Sequence, residues 1–177
     1  MVKILIIDDD TMLQEALNTK LKYNQSATIK TNKNHSVAQF NFMPLVVQVY
    51  FFFDPIEALN TIKQESITNV AKRDFCLSYD LILVDLKFDV YDSNTSNPLK
   101  TSGYKMLQEY NNLIEKVFYL AKNPEVDIIT SMPLAKDDII QMKGECTRIQ
   151  LKNTQDKDSE VILKRIFEFL DTQKNSK

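Results

Sequence analysis

The chain has 177 residues, of which 44% are hydrophobic and 26% are charged, and its formal net charge is −2. This length allows one domain with a full core and is short for two, so we predict a single domain, residues 1–177, with insertions. Lysine and arginine are scattered and offset by nearby acids, which excludes a basic surface for nucleic acid. No apolar run approaches the ~20 residues that cross a bilayer, and none resembles a signal peptide. We therefore expect a cytoplasmic protein with neither a membrane nor a nucleic-acid partner.

The first strand-like run, residues 3–7, is apolar after Lys3, is long enough for a buried strand, and ends in three consecutive aspartates at positions 8–10. Apolar residues at helical spacing follow, and they predict a helix over residues 11–23. Asp10 or Thr11 is available to cap its first turn.

A polar stretch, residues 24–44, comes next and is longer than the usual connection between a helix and a strand, so we interpret it as an insertion. The β-branched and aromatic run 45–53 predicts a strand buried on both faces. Asp54 and Pro55 then provide the cap and the first residue of a second helix.

The third predicted strand covers residues 81–84 and ends at Asp85. Polar residues 87–102 form a second insertion directly beside that acid. A long amphipathic helix is predicted from Gly103 to residue 123, where the pair Asn123-Pro124 ends it.

Three further elements complete the pattern: a short strand at 126–129, a helix at 133–143, and a strand at 148–152. A last amphipathic helix includes residues 163–170. Strands and helices alternate throughout, which predicts an α/β fold with a doubly wound, five-stranded parallel sheet covered by helices on both faces. Its ligand crevice is expected outside the carboxyl ends of the strands.

The isolated cysteines and histidine indicate no metal or redox site. Cys76 and Cys146 have no close-spaced partner and are expected to be free, buried thiols in a reducing compartment. The single histidine, His35, lies in a polar stretch and is expected in a surface loop.

The aspartates at the ends of the first and third predicted strands are the candidate functional residues. If these strands are neighbours, Asp8, Asp9 and Asp85 share one crevice, and three carboxylates together need a cation. A helix cap would need only one acid, so the cluster favours a metal site. Without a metal, at least one pKa should rise. Asp89 and Asp92 lack the spacing of a calcium loop and are expected to be solvated.

The ends of the predicted strands, taken in order, resemble the receiver domain of two-component response regulators. The matching positions are residues 6–9, 83–85, 129–130 and 151–152, with residues 54–59 and Gly103 in support. The resemblance covers most of the chain outside the two insertions, and it implies a flavodoxin-like sheet of strand order 2-1-3-4-5.

The resemblance implies that Asp85 accepts a phosphoryl group from a sensor histidine kinase or phosphotransfer protein. The chain would act as a stand-alone receiver that signals through a downstream protein effector, and it would catalyse its own phosphotransfer and dephosphorylation rather than turn over a substrate. The implied site consists of Mg²⁺ ligands and phosphoryl contacts. The ligands are Asp9, Asp8 through water, Asp85 and the backbone carbonyl of Lys87; the phosphoryl contacts are Thr130 and Lys152.

Three departures from the receiver pattern are visible. Lys152 is followed by Asn153 instead of proline, so a trans peptide is expected there. Ile149 stands where many receivers have an aromatic switch residue, and the segment after Asp85 is longer than usual. These features predict phosphorylation with an unusual readout.

Two alternatives start from the same residues. The first is a phosphorylation-independent pseudo-receiver that uses its insertions as a binding surface. The second is a haloacid-dehalogenase-type phosphatase, in which Asp8 would be the nucleophile and Asp10 the general acid. Met12 replaces the usual Thr or Val of that motif, and Asp85 precedes the motif lysine instead of following it, so the order of motifs favours the receiver.

Overall fold

A computed structural model describes residues 1–32, 35–71, 79–117, 124–152 and 158–175. Within these ranges the strands are β1 (Val2–Ile7), β2 (Thr28–Thr31), β3 (His35–Phe42), β4 (Leu45–Phe52), β5 (Leu81–Val84), β6 (Glu125–Thr130) and β7 (Arg148–Leu151). The helices are α1 (Thr11–Gln25), α2 (Pro55–Ala71), α3 (Asp89–Asp92), α4 (Ser102–Val117), α5 (Lys136–Met142) and α6 (Asp158–Asn175), with a 3₁₀ turn at Pro98–Lys100.

All seven strands belong to one sheet of order β2-β3-β4-β1-β5-β6-β7. The five strands from β4 to β7 in this order are parallel, and Ile7 at the end of β1 lies opposite both Phe52 of β4 and Val84 of β5. This arrangement confirms the predicted doubly wound α/β fold and the order 2-1-3-4-5 of its parallel strands. The carboxyl ends of β1 and β5 therefore meet at one edge of the sheet.

Helices cover both faces of the sheet, as the side chains of β1 show: they alternate between two hydrophobic clusters, one on each face. Ile4 and Ile6 pack with α1 and α6, whereas Leu5 and Ile7 pack with α2 and α4. Of the helices in the described ranges, none is both long and apolar enough to span a membrane.

The first predicted insertion, residues 24–44, is folded for most of its length rather than linker-like. It forms β2 and β3, two antiparallel strands that extend the sheet beyond β4. Along β3, Ser36, Ala38 and Phe40 are buried at alternate positions, which is the pattern of a strand with one covered face. The sequence hid this alternation, because a polar residue, Ser36, lies on the buried side and an apolar one, Val37, on the other.

Two local predictions, for His35 and for the strand at residues 45–53, are wrong, because β3 pairs with β4. His35 does not lie in a surface loop: it begins β3, and its ring stacks on Phe52 with the centroids 4.8 Å apart. Strand β4 is not buried on both faces, since Val46 is 40% exposed and burial alternates along its first half.

The helix predictions hold more closely. Helix α1 ends two residues beyond the predicted 11–23, and Asp54 caps α2 by accepting hydrogen bonds from the N–H groups of Ile56 (2.7 Å) and Glu57 (3.1 Å). The last part of the long helix predicted to end at residue 123 lies outside the described ranges, as does Cys76. Cys146 is free but only half-buried.

Candidate functional site

Two aspartates lie side by side at the carboxyl edge of the parallel sheet. The backbone N–H of Asp8 donates to the carbonyl of Phe52 (3.0 Å), and that of Asp85 donates to the carbonyl of Ile7 (2.9 Å). These bonds continue the strand pairing for one residue beyond β1 and β5. Both aspartates are buried, with 3% and 6% of their surfaces exposed.

Lys152 joins the two buried carboxylates. Its ammonium Nζ lies 2.7 Å from Oδ2 of Asp8 and 2.7 Å from Oδ2 of Asp85, and its side chain is only 8% exposed. The backbone N–H of Lys152 donates to the carbonyl of Thr130 (2.8 Å), so the pairing of β6 with β7 holds the lysine in register. The structure thus brings together Asp8, Asp85 and Lys152 from three separate parts of the sequence. The peptide that joins Lys152 to residue 153 lies outside the described ranges.

The electrostatics of this trio follow from its burial. Burial raises the pKa of Asp8 to about 6, although the nearby Lys152 lowers it, and the neighbouring Asp85 raises it further. Burial lowers the pKa of Lys152, but the two carboxylates more than offset this effect and raise it above its usual range. The expected rise in an acid pKa is confirmed, with burial as its largest cause and repulsion between acids as a smaller one.

The other two members of the aspartate run have different partners. Asp10 caps α1, because its Oδ1 accepts from the N–H groups of Met12 (2.9 Å) and Leu13 (3.1 Å). Asp9 turns toward the second insertion, where its Oδ2 accepts from the backbone N–H of Asp89 (2.7 Å). Burial raises the pKa of Asp9, while this hydrogen bond lowers it. Across the described ranges, no three ligand-type side chains converge on a common metal position.

Of the remaining predicted site residues, Lys87 contacts Asp85 directly and Thr130 ends the neighbouring strand. Oδ1 of Asp85 accepts from the backbone N–H of Leu86 (2.6 Å) and, more weakly, from that of Lys87 (3.4 Å). Thr130 ends the neighbouring strand β6, is fully buried, and accepts a hydrogen bond at Oγ1 from the N–H of Met132 (3.1 Å). The hydroxyl proton of Thr130 therefore remains available for donation.

No protein-family model and no curated protein matches this sequence. Solved structures do match it over nearly its whole length. A CheY-like response regulator receiver protein from Methanospirillum hungatei JF-1 shares 16% identity, with a TM-score of 0.54, 100% of this chain covered and 99% of that one. The receiver domain of the histidine kinase CKI1 from Arabidopsis thaliana, complexed with Mg²⁺, shares 12% identity, with a TM-score of 0.58 and coverages of 95% and 91%. A BeF₃-activated DrrB receiver domain shares 14% identity, with a TM-score of 0.52 and coverages of 97% and 98%.

This chain has the fold of a response-regulator receiver domain. The likeness concerns the fold, since the identities are low. Within this fold, the buried Asp8–Asp85–Lys152 trio lies at the edge of the sheet where the carboxyl ends of the parallel strands meet.

The receiver core leaves no room for a side chain at Gly103, the second residue of α4. A Cβ atom there would lie 2.0 Å from the carbonyl oxygen of Asp85 and 2.8 Å from both Cα and O of Leu86. The N–H of Gly103 donates to the carbonyl of Leu86 (3.0 Å). The helix therefore packs directly on the backbone that carries Asp85, and only glycine permits this approach.

The second insertion of this chain is folded, and one prediction about it is wrong. Asp92 is not solvated: it is 3% exposed and accepts from the N–H of Phe88 (3.0 Å), the N–H of Ser102 (3.0 Å) and the hydroxyl of Ser102. Asp89 is exposed, as expected. Sequence reasoning missed both the structural role of Asp92 and the contact between Asp89 and Asp9. The Asp-x-x-Asp spacing in a polar stretch was the only local signal.

Proposed function

We propose that this chain accepts a phosphoryl group on Asp85 from the phosphohistidine of a sensor histidine kinase or phosphotransfer protein. The observation that supports this proposal best is the position of Lys152, whose ammonium contacts Asp8 and Asp85 at 2.7 Å each. A carboxylate that attacks a phosphoryl group needs cationic and hydrogen-bonding groups around it, because negative charge develops on the phosphoryl oxygens.

The residues around Asp85 have complementary parts in such a transfer. A carboxylate oxygen of Asp85 would form a bond to phosphorus as the bond from phosphorus to the donor's imidazole nitrogen breaks, and the imidazole would leave with that electron pair. Lys152 would then shift from the carboxylates toward the transferred oxygens, and the Thr130 hydroxyl would donate to one of them. The N–H groups of Leu86 and, more weakly, Lys87 bind the other Asp85 oxygen and would keep it in place during the transfer.

Magnesium fits the chemistry of this donor set, because Mg²⁺ prefers oxygen ligands, needs few carboxylates and keeps several waters. Asp9, Asp85, the carbonyl of Lys87 and, through water, Asp8 are the residues that would hold it. Bound Mg²⁺ would neutralise charge on the phosphoryl oxygens. Asp8 and Asp85 already share one cationic group, Lys152, whereas Asp9 is engaged by Asp89. Each of these carboxylates would exchange a present partner on binding the cation, and Asp9 is the one whose partner comes from the second insertion.

The proposal is tested by incubating the protein with Mg²⁺ and acetyl phosphate and measuring the intact mass. We expect the wild type to gain one phosphoryl group and Asp85→Asn to gain none. Asp10→Asn is the matched control, because asparagine caps helices as well as aspartate does and Asp10 faces α1 rather than Asp85. A wild-type protein that gains no mass, or an Asp85→Asn variant that does, would contradict the proposal.

The same variants separate the two alternatives. A haloacid-dehalogenase-type phosphatase would require Asp10 as its general acid, so Asp10→Asn would abolish turnover of a phosphate ester while Asp85→Asn would not. A phosphorylation-independent pseudo-receiver is favoured by one observation, the engagement of Asp9 by the insertion. It predicts no mass gain and no Mg²⁺-dependent response of the wild type to beryllofluoride.

The downstream partner in this proposal is a protein effector. Ile149, half-buried on β7, cannot act as an aromatic switch, so a change at Asp85 must reach the effector by another route.

A further inference from the structure

The second insertion reaches into the candidate site through one backbone group. The N–H of Asp89 donates to Oδ2 of Asp9 at 2.7 Å, across a sequence separation of 80 residues. Asp89 is the first residue of α3, and first-turn N–H groups have no partner within their own helix. This N–H is therefore free to bind the carboxylate without any loss to α3.

The segment that carries this N–H, residues 88–92, is anchored at both ends. Phe88 is 1% exposed within the hydrophobic core, and buried Asp92 accepts hydrogen bonds from both Phe88 and Ser102. Between them, the hydroxyl of Tyr91 donates to Oδ2 of Asp54 at 2.5 Å. Because the segment is held at three points, Asp9 is the side of the contact that is free to move.

We propose that segment 88–92 competes with a divalent cation for the carboxylate of Asp9, so that this insertion sets the cation affinity of the site. The inference rests on the proposed function, since it takes Asp9 as a cation ligand. A hydrogen bond to a charged group contributes more than one between neutral groups, and a cation that draws Asp9 toward Asp85 must replace it. The absence of a ready three-ligand cluster among the described residues agrees with this competition.

A proline at position 89 tests the competition directly. Asp89→Pro removes the N–H, and proline suits the first position of a helix. The preceding residue, Phe88, has φ −116° and ψ 120°, the extended conformation that a following proline requires. Asp89→Ala is the matched control, because it also removes the carboxylate but keeps the N–H.

Titration of the full-length variants with Mg²⁺ alone, followed by calorimetry, measures the effect. We expect Asp89→Pro to bind Mg²⁺ about tenfold more tightly than Asp89→Ala, the factor that corresponds to about 1.4 kcal/mol. Equal affinities, or weaker binding by Asp89→Pro, would overturn the proposal. Undetectable binding by both variants would also overturn it.

A measurement on the wild type covers the possibility that the proline variant folds poorly. In a ¹⁵N-labelled sample, the amide proton of Asp89 should shift upfield as Mg²⁺ saturates the protein, because it loses its carboxylate acceptor. An amide signal that stays in place while Mg²⁺ binds would refute the competition. The mass assay is scored separately: phosphorylation of Asp85 with equal Mg²⁺ affinities in the two variants defeats this inference alone, whereas tighter binding without phosphorylation defeats only the proposed transfer.

Discussion

Gly103 provides the sharpest test of how the helix α4 and the Asp85 backbone are packed. In Gly103→Ala the new methyl group would lie 2.0 Å from the carbonyl oxygen of Asp85 and 2.8 Å from two atoms of Leu86. All three obstacles are backbone atoms, so no side-chain rotation relieves the overlap. Either α4 or the end of β5 must move.

The expected size of the effect comes from two opposing contributions. Overpacking a well-packed site typically costs about 1–3 kcal/mol, occasionally more, and a contact this short belongs at the upper end. Alanine gains up to about 1 kcal/mol over glycine inside a helix, which offsets part of that cost. We expect a net loss of about 2 kcal/mol of unfolding free energy, and thus a melting temperature lower by about 4–8 °C for a chain of this size.

The second glycine of the chain is the matched control. A Cβ at Gly144 would lie 3.7 Å from its nearest neighbour, the carbonyl oxygen of Gln141, which is an ordinary contact. Gly144→Ala should therefore shift the melting temperature by no more than about 2–4 °C in either direction, corresponding to about 1 kcal/mol. Thermal unfolding followed by circular dichroism compares the two variants. If Gly103→Ala is folded and as stable as Gly144→Ala, the close approach at Asp85 is not present in the protein.

Three further predictions concern the buried charges. Burial raises the pKa of Asp8 from 3.8 to about 6, so the folded state binds the carboxyl proton more tightly than the unfolded state, and the free energy of unfolding should fall as pH rises between these values. In urea titrations at several pH values, Asp8→Asn should reduce this dependence on pH. An unchanged pH dependence would contradict the pKa shift. Lys152→Ala leaves two buried carboxylates without their counter-charge and should cost about 3–5 kcal/mol, with Mg²⁺ raising the melting temperature of this variant more than that of the wild type; equal Mg²⁺ effects would speak against a cation at this position. Arg165→Met leaves the buried carboxylate of Asp127, which is 1% exposed, without its ionic partner, and burial raises the pKa of Asp127 even with that partner present. The substitution should therefore lower the free energy of unfolding, measured by chemical denaturation, by about 3–5 kcal/mol. Arg148→Met breaks an exposed ion pair with Glu168 and removes only a charge that acts on Asp127 without a hydrogen bond. It should cost less than about 1 kcal/mol, and similar losses in these two arginine variants would refute the argument.

The parallel core of the sheet was predictable because its signals are local. The apolar runs at 3–7 and 81–84 have few polar interruptions, as strands covered on both faces do, and all residues of β5 are buried. Helix caps such as Asp54 depend on neighbours only two or three residues away. These features can be read without knowing the tertiary partners.

Strands β2 and β3 were missed because an outer strand needs only one apolar face. Along β3, Gln39 and Asn41 lie on the exposed face and even the buried face includes Ser36, so the run resembles a polar linker in composition. Its pairing with β4 is antiparallel and starts from a short turn at residues 43–44. The alternation of burial becomes clear only once the sheet exists.

The candidate site also contains residues that the sequence predicted correctly and residues that it did not. The sequence placed Asp8 and Asp85 at the ends of adjacent strands, and the structure joins them through Lys152. From the sequence, Asp92 was predicted to be a solvated acid, whereas in the structure its carboxylate accepts hydrogen bonds that hold the second insertion in place. An acid that accepts backbone N–H groups has the same sequence appearance as one that faces water.

The sequence alone determined the alternation of strands and helices and put acids at the strand ends, because hydrophobic periodicity and capping act over a few residues. Only the tertiary structure decided which acids share a charge partner. The pairing of β1 with β5 and of β6 with β7 brings Lys152 between Asp8 and Asp85, which are 144 and 67 residues away from it in the sequence. The second insertion binds the carboxylate of Asp9 through one hydrogen bond, donated by the backbone N–H of Asp89. Burial and Coulomb interactions depend on such distances in space, and no local pattern contains them.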